Sequence, residues 1–213
     1  MKKIKDYKLF LENKQSKEDI HSICRKFLRL SSNRVENYTI NEDGTVDVDG
    51  DVYLSGKNLQ KIPLKFGRVT GDFECDENKL TSLEGCPNWV GGYFSCCNNE
   101  LITLEGGPKW VSRYFSCRNN ELITLEGGPE TVLGNYYCNN NQLVNFRGFP
   151  EDFDNEIDME NNYVYDLLEK MPEEKWNKFI YWCNEYDAIT DDGKVIPDRV
   201  YEVYNQIGLK YED

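Results

Sequence analysis

Apolar residues in the middle of this chain recur with a period of 21, longer than any helical or strand repeat. One column reads Leu59, Leu80, Leu101, Leu122, Leu143, Val164, and a second Ile62, Leu83, Leu104, Leu125, Phe146, Leu167. A third is Val52, Phe73, Phe94, Phe115, Tyr136, Ile157; beside it run Leu54, Cys75, Cys96, Cys117, Cys138 and Met159. Asn78, Asn99, Asn120, Asn141 and Asn162 hold the same register. Columns of this kind describe a solenoid, in which each unit buries its apolar side only against its neighbours. Within a unit, Phe94 and Cys96 alternate with Tyr93, Ser95 and Cys97, the period-2 pattern of a short strand. Asn99 is expected to turn inward and bond backbone groups of the adjacent coil, so that the copies form a ladder. Gly106 and Pro108 disfavour helix, which predicts an extended return limb.

The flanks read as helical. Ser16 and Asp19 resemble a helix start, and Ile20, Ile23, Cys24, Phe27 and Leu28 follow helical spacing, predicting a helix over 17–30. Val46 and Val48 alternate ahead of the repeats, as a strand would. After the repeats, Pro172 suits a first helical position, and Trp176, Phe179, Ile180 and Cys183 make one apolar stripe. A last helix is predicted from near Asp198, with Val200, Val203, Tyr204 and Ile207 inward and Gly208 closing it. The organisation expected is a helical N-terminal cap over 1–45, a solenoid over 46–170 and a helical C-terminal cap over 171–213, the caps covering the apolar ends.

The motif F-x-C-x-x-N-x-L-x-x-L is similar to the leucine-rich repeat pattern, with aromatic residues and cysteine replacing two leucines. The stretch Leu80–Val90, LTSLEGCPNWV, resembles the half-repeat L-T-x-L-P-x-L-P-x-x-L of short bacterial leucine-rich repeats. Its second proline is present at Pro87, Pro108, Pro129 and Pro150, whereas Glu84, Glu105 and Glu126 replace the first. The repeats, the opening Tyr38–Ser55 and the tail Asn184–Gly208 resemble leucine-rich repeat proteins of large tailed bacteriophages. That resemblance implies an α/β repeat solenoid with short parallel strands on its concave face, and a chain at work in a host cytoplasm. It implies no particular chemistry.

Charge narrows the partners. The net charge is -13, so binding nucleic acid or anionic membrane by bulk charge is disfavoured. Residues 1–45 carry +3 and the remainder -16, which sets a mildly basic helix on an acidic body. The eight cysteines are expected to be reduced, since four of them follow the repeat and no secretory signal opens the chain. Parallel strands place equivalent thiols in a line about 4.8 Å apart, where they pack as small apolar groups; a metal site would need convergence. Asp47, Asp49 and Asp51 imitate the start of a calcium loop, but Val52 and Asn58 stand where its Gly and Glu belong, so a solvated acidic turn is expected. A lone surface or cap position is expected for His21. No nucleophile–base pair or phosphate loop stands out, and no cofactor or metal is expected.

If Phe73 and Cys75 point inward, the alternating residues form the concave surface. Its rows are Asp51, Tyr53, Ser55; Asp72, Glu74, Asp76; Tyr93, Ser95, Cys97; Tyr114, Ser116, Arg118; Asn135, Tyr137, Asn139; and Glu156, Asp158, Glu160. Cys97 faces outward in this register and is expected to be the first thiol alkylated. The residues expected to meet a partner are Tyr53, Asp72, Glu74, Tyr93, Ser95, Tyr114, Ser116, Arg118, Asn135, Tyr137, Asn139 and Asp158. Tyrosine and arginine anchor interfaces, and flanking acids steer a basic partner. The function expected is non-catalytic binding of a host or phage protein, as in blocking a defence system. An acidic nucleic-acid mimic is the alternative. An enzyme with its site at the helical ends comes third. Trp89 and Trp110, one period apart, form an apolar pair expected on the convex side.

Overall fold

The computed structural model describes residues 17–27, 38–150, 153 and 155–211. The repeats wind into a β-solenoid of about five turns with parallel strands. Two sheets of six strands each run the length of the stack. The first contains β1 (Tyr38–Ile40), β2 (Val46–Val48), β4 (Phe66–Val69), β6 (Trp89–Val90), β8 (Trp110–Val111) and β10 (Thr131–Val132). The second contains β3 (Val52–Tyr53), β5 (Phe73–Glu74), β7 (Phe94–Ser95), β9 (Phe115–Ser116), β11 (Tyr136–Tyr137) and β12 (Ile157–Asp158). The predicted strand is the second sheet, paired Phe73 to Phe94 to Phe115 to Tyr136 to Ile157 in one-period register. The first sheet is the return limb. It is extended, as anticipated, but after Pro63, Pro87, Pro108 and Pro129 it also pairs, aligning Trp89 with Trp110. β1 adds an antiparallel edge strand that the periodicity did not announce.

Side chains from both sheets and from the leucine limb meet inside. Phe73, Phe94 and Phe115 are fully buried and stack at ring distances of 5.5 and 5.6 Å. Cys75, Cys96, Cys117 and Cys138 lie beside them, fully buried and unbridged. Burial pushes the Cys96, Cys117 and Cys138 thiols well up from their ordinary range, so they stay protonated. The asparagine ladder forms as expected. Asn120 Nδ2 donates to the carbonyls of Cys96, Cys117 and Arg118 at 3.1, 3.0 and 3.3 Å, and its Oδ1 accepts the Leu101 N–H at 3.1 Å. Each asparagine thus ties its own turn to the coil before it. The residue ahead of it takes the left-handed conformation, at Glu77, Asn98, Asn119, Asn140 and Asn161, and Gly56 does so at the same column position one period earlier. At the opposite corner Gly106 has φ 83°, and a Cβ there would sit 2.8 Å from the Glu84 backbone nitrogen.

Helices flank the stack. In α1 (Lys17–Phe27), Ile20 and Cys24 join the apolar core, and His21 Nδ1 lies 2.5 Å from the Tyr38 hydroxyl, so this histidine has a partner. The predicted extension of this helix to residue 30 lies outside the described residues. Pro172 does not open the next helix. It precedes a 3-10 turn, Glu173–Lys175, that leads into α2 (Trp176–Glu185). Phe179 of α2 packs edge-on against Phe146 of the last coil and against Tyr204 of α3 (Pro197–Ile207). Val200, Val203, Tyr204 and Ile207 are buried and Gly208 adopts the left-handed terminus, as their spacing predicts. Arg147 reaches from the solenoid to Asp187 and Asp191. No described helix is long and apolar enough to cross a membrane.

Candidate interaction face

The outer residues of the second sheet form a band six strands long, about 4.8 Å per strand. Its centre is aromatic. Tyr93 and Tyr114, half-buried and directly ahead of β7 and β9, stack with centroids 4.5 Å apart and planes 7° from parallel. Tyr137 meets Tyr114 edge-on at 5.9 Å, and the exposed Arg118 holds its guanidinium 5.5 Å from the Tyr137 ring. Such geometry follows from the period: identical side chains on adjacent parallel strands are held one strand spacing apart, which suits offset stacking.

Acids border this centre. Tyr93 donates its hydroxyl to Glu74 Oε2 at 3.0 Å; burial and then this bond raise its phenol above the ordinary range. Tyr53 donates to Asp51 Oδ2 at 3.2 Å, and its phenol is likewise raised, mainly by burial. Asp72 Oδ1 accepts the Tyr93 N–H at 2.9 Å, so this carboxylate also joins consecutive coils. On the far side, Asn135 Nδ2 donates to Tyr137 Oη at 2.8 Å and to Glu156 Oε2 at 2.7 Å. Asp158 is half-buried, and Asn139 carries a buried Oδ1 with no hydrogen-bond partner among the described residues.

Two expectations for this face change. Ser95 and Ser116 are in register but buried, with 5% and 1% of their surface exposed, so they form its floor rather than its contact surface. Cys97 is also in register, yet only 4% exposed, so it cannot be the readily alkylated thiol. Its Sγ lies 2.9 Å from Ser116 Oγ and 3.3 Å from Ser95 Oγ, within the buried floor those serines form. Asp49 and Asp51 are exposed, as expected of a solvated acidic turn, and with Asp47 they also fasten coil to coil, accepting from Arg68 N–H, Thr70 hydroxyl and Asp72 N–H at 2.8, 3.0 and 2.8 Å.

Asp76 is the member of this surface whose role the periodicity conceals. It accepts from Ser95 Oγ at 2.7 Å and from the Cys97 N–H at 2.6 Å, and burial raises its carboxyl above the usual range. Its place in the outward register was legible; its function as the anchor of the floor was not. The tryptophan pair lies on the first sheet, where Arg68 stacks 3.8 Å over Trp89 and Trp110 is 38% exposed. Among the described residues no group of three His, Cys, Asp or Glu could hold a metal ion. Comparison of the chain with protein families, with curated proteins and with solved structures finds no match.

Proposed function

We propose that this chain is a short-type leucine-rich repeat protein, closed at both ends by its helices, that acts without catalysis by holding a protein partner on the second sheet. The observation that carries the reading is the Tyr93–Tyr114 stack with Tyr137 and Arg118 beside it. These side chains sit on strands fixed by backbone hydrogen bonds to both neighbours, so they lose little freedom on binding. Large rigid aromatics with an adjacent guanidinium, ringed by polar groups, have the composition of an interface hot spot. The resemblance of the repeats and tail to phage proteins supports a host protein as the partner, met in the cytoplasm, with interference in a defence system as the task.

Tyr114→Ala and Arg118→Ala are each expected to weaken the complex by about 2 kcal/mol while leaving the melting curve cooperative. Titration of the partner by calorimetry measures this. Unchanged affinity, with loss instead on changing Trp89 or Trp110, would move the contact to the first sheet. The flanking carboxylates favour a second reading, an acidic mimic occupying a nucleic-acid cleft. Affinity that collapses steeply with salt and ignores the tyrosines would select it.

A further inference from the structure

The charges on the face are arranged in two banks. Asp51, Asp72, Glu74 and Asp76 occupy the first two rows, and Glu156, Asp158 and Glu160 the last. The donors that meet Asp51, Asp72, Glu74 and Asp76 are neutral N–H and O–H groups, which orient the carboxylates but leave their charge in place. The three ion pairs among the described residues, Lys109–Glu130 and the two from Arg147, all lie elsewhere. Arg118 is the cation in these rows. It stands on the fourth strand of six, two strands from either bank, and feels both Asp76 and Asp158. One guanidinium against seven carboxylates leaves each bank strongly negative, with the tyrosines in the gap.

A partner matched to this surface needs positive charge at both ends and flat, uncharged chain in the middle, where Arg118 would repel a cation. Four strand intervals separate Glu74 on β5, with Asp76 just after it, from Asp158 on β12, or about 19 Å. An extended polypeptide covers that distance in about six residues at its rise of 3.3 Å per residue. Resting on the protein-binding reading above, we infer that the occupant of this face is an extended polypeptide segment with two basic side chains about six residues apart. One basic group meets each bank, and the residues between them lie across Tyr93, Tyr114 and Tyr137. Arginine suits both ends, because its planar fork pairs with carboxylates and stacks on tyrosine.

Fluorescence anisotropy with synthetic peptides tests this on the full chain. One peptide carries arginines at positions i and i+6 around a Gly/Tyr/Pro middle; a second has the same composition with the two arginines adjacent; a third replaces both with glutamine. The spaced peptide is expected to bind about tenfold or more tightly than the adjacent one at physiological salt, since only it reaches both banks. Glu74→Gln and Asp158→Asn, each checked for an unchanged melting curve, should each erase that preference. Equal binding of the two arginine peptides, collapsing as salt rises, would overturn the inference in favour of attraction by bulk charge. Equal binding of the glutamine peptide, lost on Tyr114→Ala, would overturn the two-bank arrangement yet keep the aromatic protein-binding face. If no peptide binds, the inference falls, and the wider reading is then decided separately by the Tyr114→Ala and Arg118→Ala titrations with a native partner.

Discussion

At the scale of single residues, the repeat contains positions where one copy departs from its column, and these departures are where stability can be gained. Glu77 holds φ 53° in a column otherwise filled by glycine and asparagine. Left-handed backbone costs most side chains roughly 1 kcal/mol or more, whereas asparagine visits it readily. Asn119 and Asn161 also donate to the preceding asparagine of the column at 2.9 and 2.7 Å, bonds that a glutamate at 77 cannot continue in the same way. Glu77→Asn is expected to stabilise the fold by about 0.5–1 kcal/mol, read as a rise in the denaturant midpoint at constant slope. Tyr136 departs in the other direction. It continues the phenylalanine stack, fully buried, but its hydroxyl has no hydrogen-bond partner among the described residues. Removing an unsatisfied hydroxyl without altering the ring should help, so Tyr136→Phe is expected to add about 1 kcal/mol. A loss of stability on that change would mean that the hydroxyl is satisfied in solution.

The elements show how far a sequence can be read and where reading stops. Columns of phenylalanine, cysteine, leucine and asparagine were legible because each position meets its own copy in the next coil, making burial a property of the column. Asn120 illustrates the strength of that coupling. Asn120→Leu would keep the size but take from the Leu101 N–H its side-chain acceptor and from the Cys96 and Cys117 carbonyls one of the two asparagine amides each receives, a cost of about 2 kcal/mol. Urea unfolding measures this; a change below 1 kcal/mol would show that water replaces the ladder. The first sheet was not legible as a sheet. β6, β8 and β10 each bury one apolar residue, Val90, Val111 and Val132, where the second sheet buries two in alternation, such as Phe94 and Cys96, so no local pattern marks them. The burial of Cys97 was hidden for the same kind of reason. Outward register was correct, but the Ser116 hydroxyl against its sulfur comes from the next coil, 19 residues away. The acids at 47, 49 and 51 were legible as a solvated turn, but not their bonds to N–H and O–H groups of the next coil, which no local pattern announces.

For the whole molecule, the governing fact is that every coil meets the next in a nearly constant register. Deleting Leu101–Glu121 removes one complete period and joins Glu100 to Leu122, whose following residues repeat those removed, LITLEGGP. The shortened chain is expected to fold cooperatively with a melting temperature lower by several degrees, because one set of neighbour contacts is gone. Deleting the same stretch short by two residues should instead abolish cooperative melting, since every later side chain would leave its column. Equal behaviour of the two deletions in calorimetry would refute the register argument. The same feature bears on how such a chain changes over generations. Neighbouring stretches of the gene that encode the same eight residues are substrates for unequal recombination, which adds or removes whole repeats. Each such event would preserve the fold and move the two carboxylate banks by one strand spacing, so that the gene carries a stepwise ruler for the length of segment its product can grip.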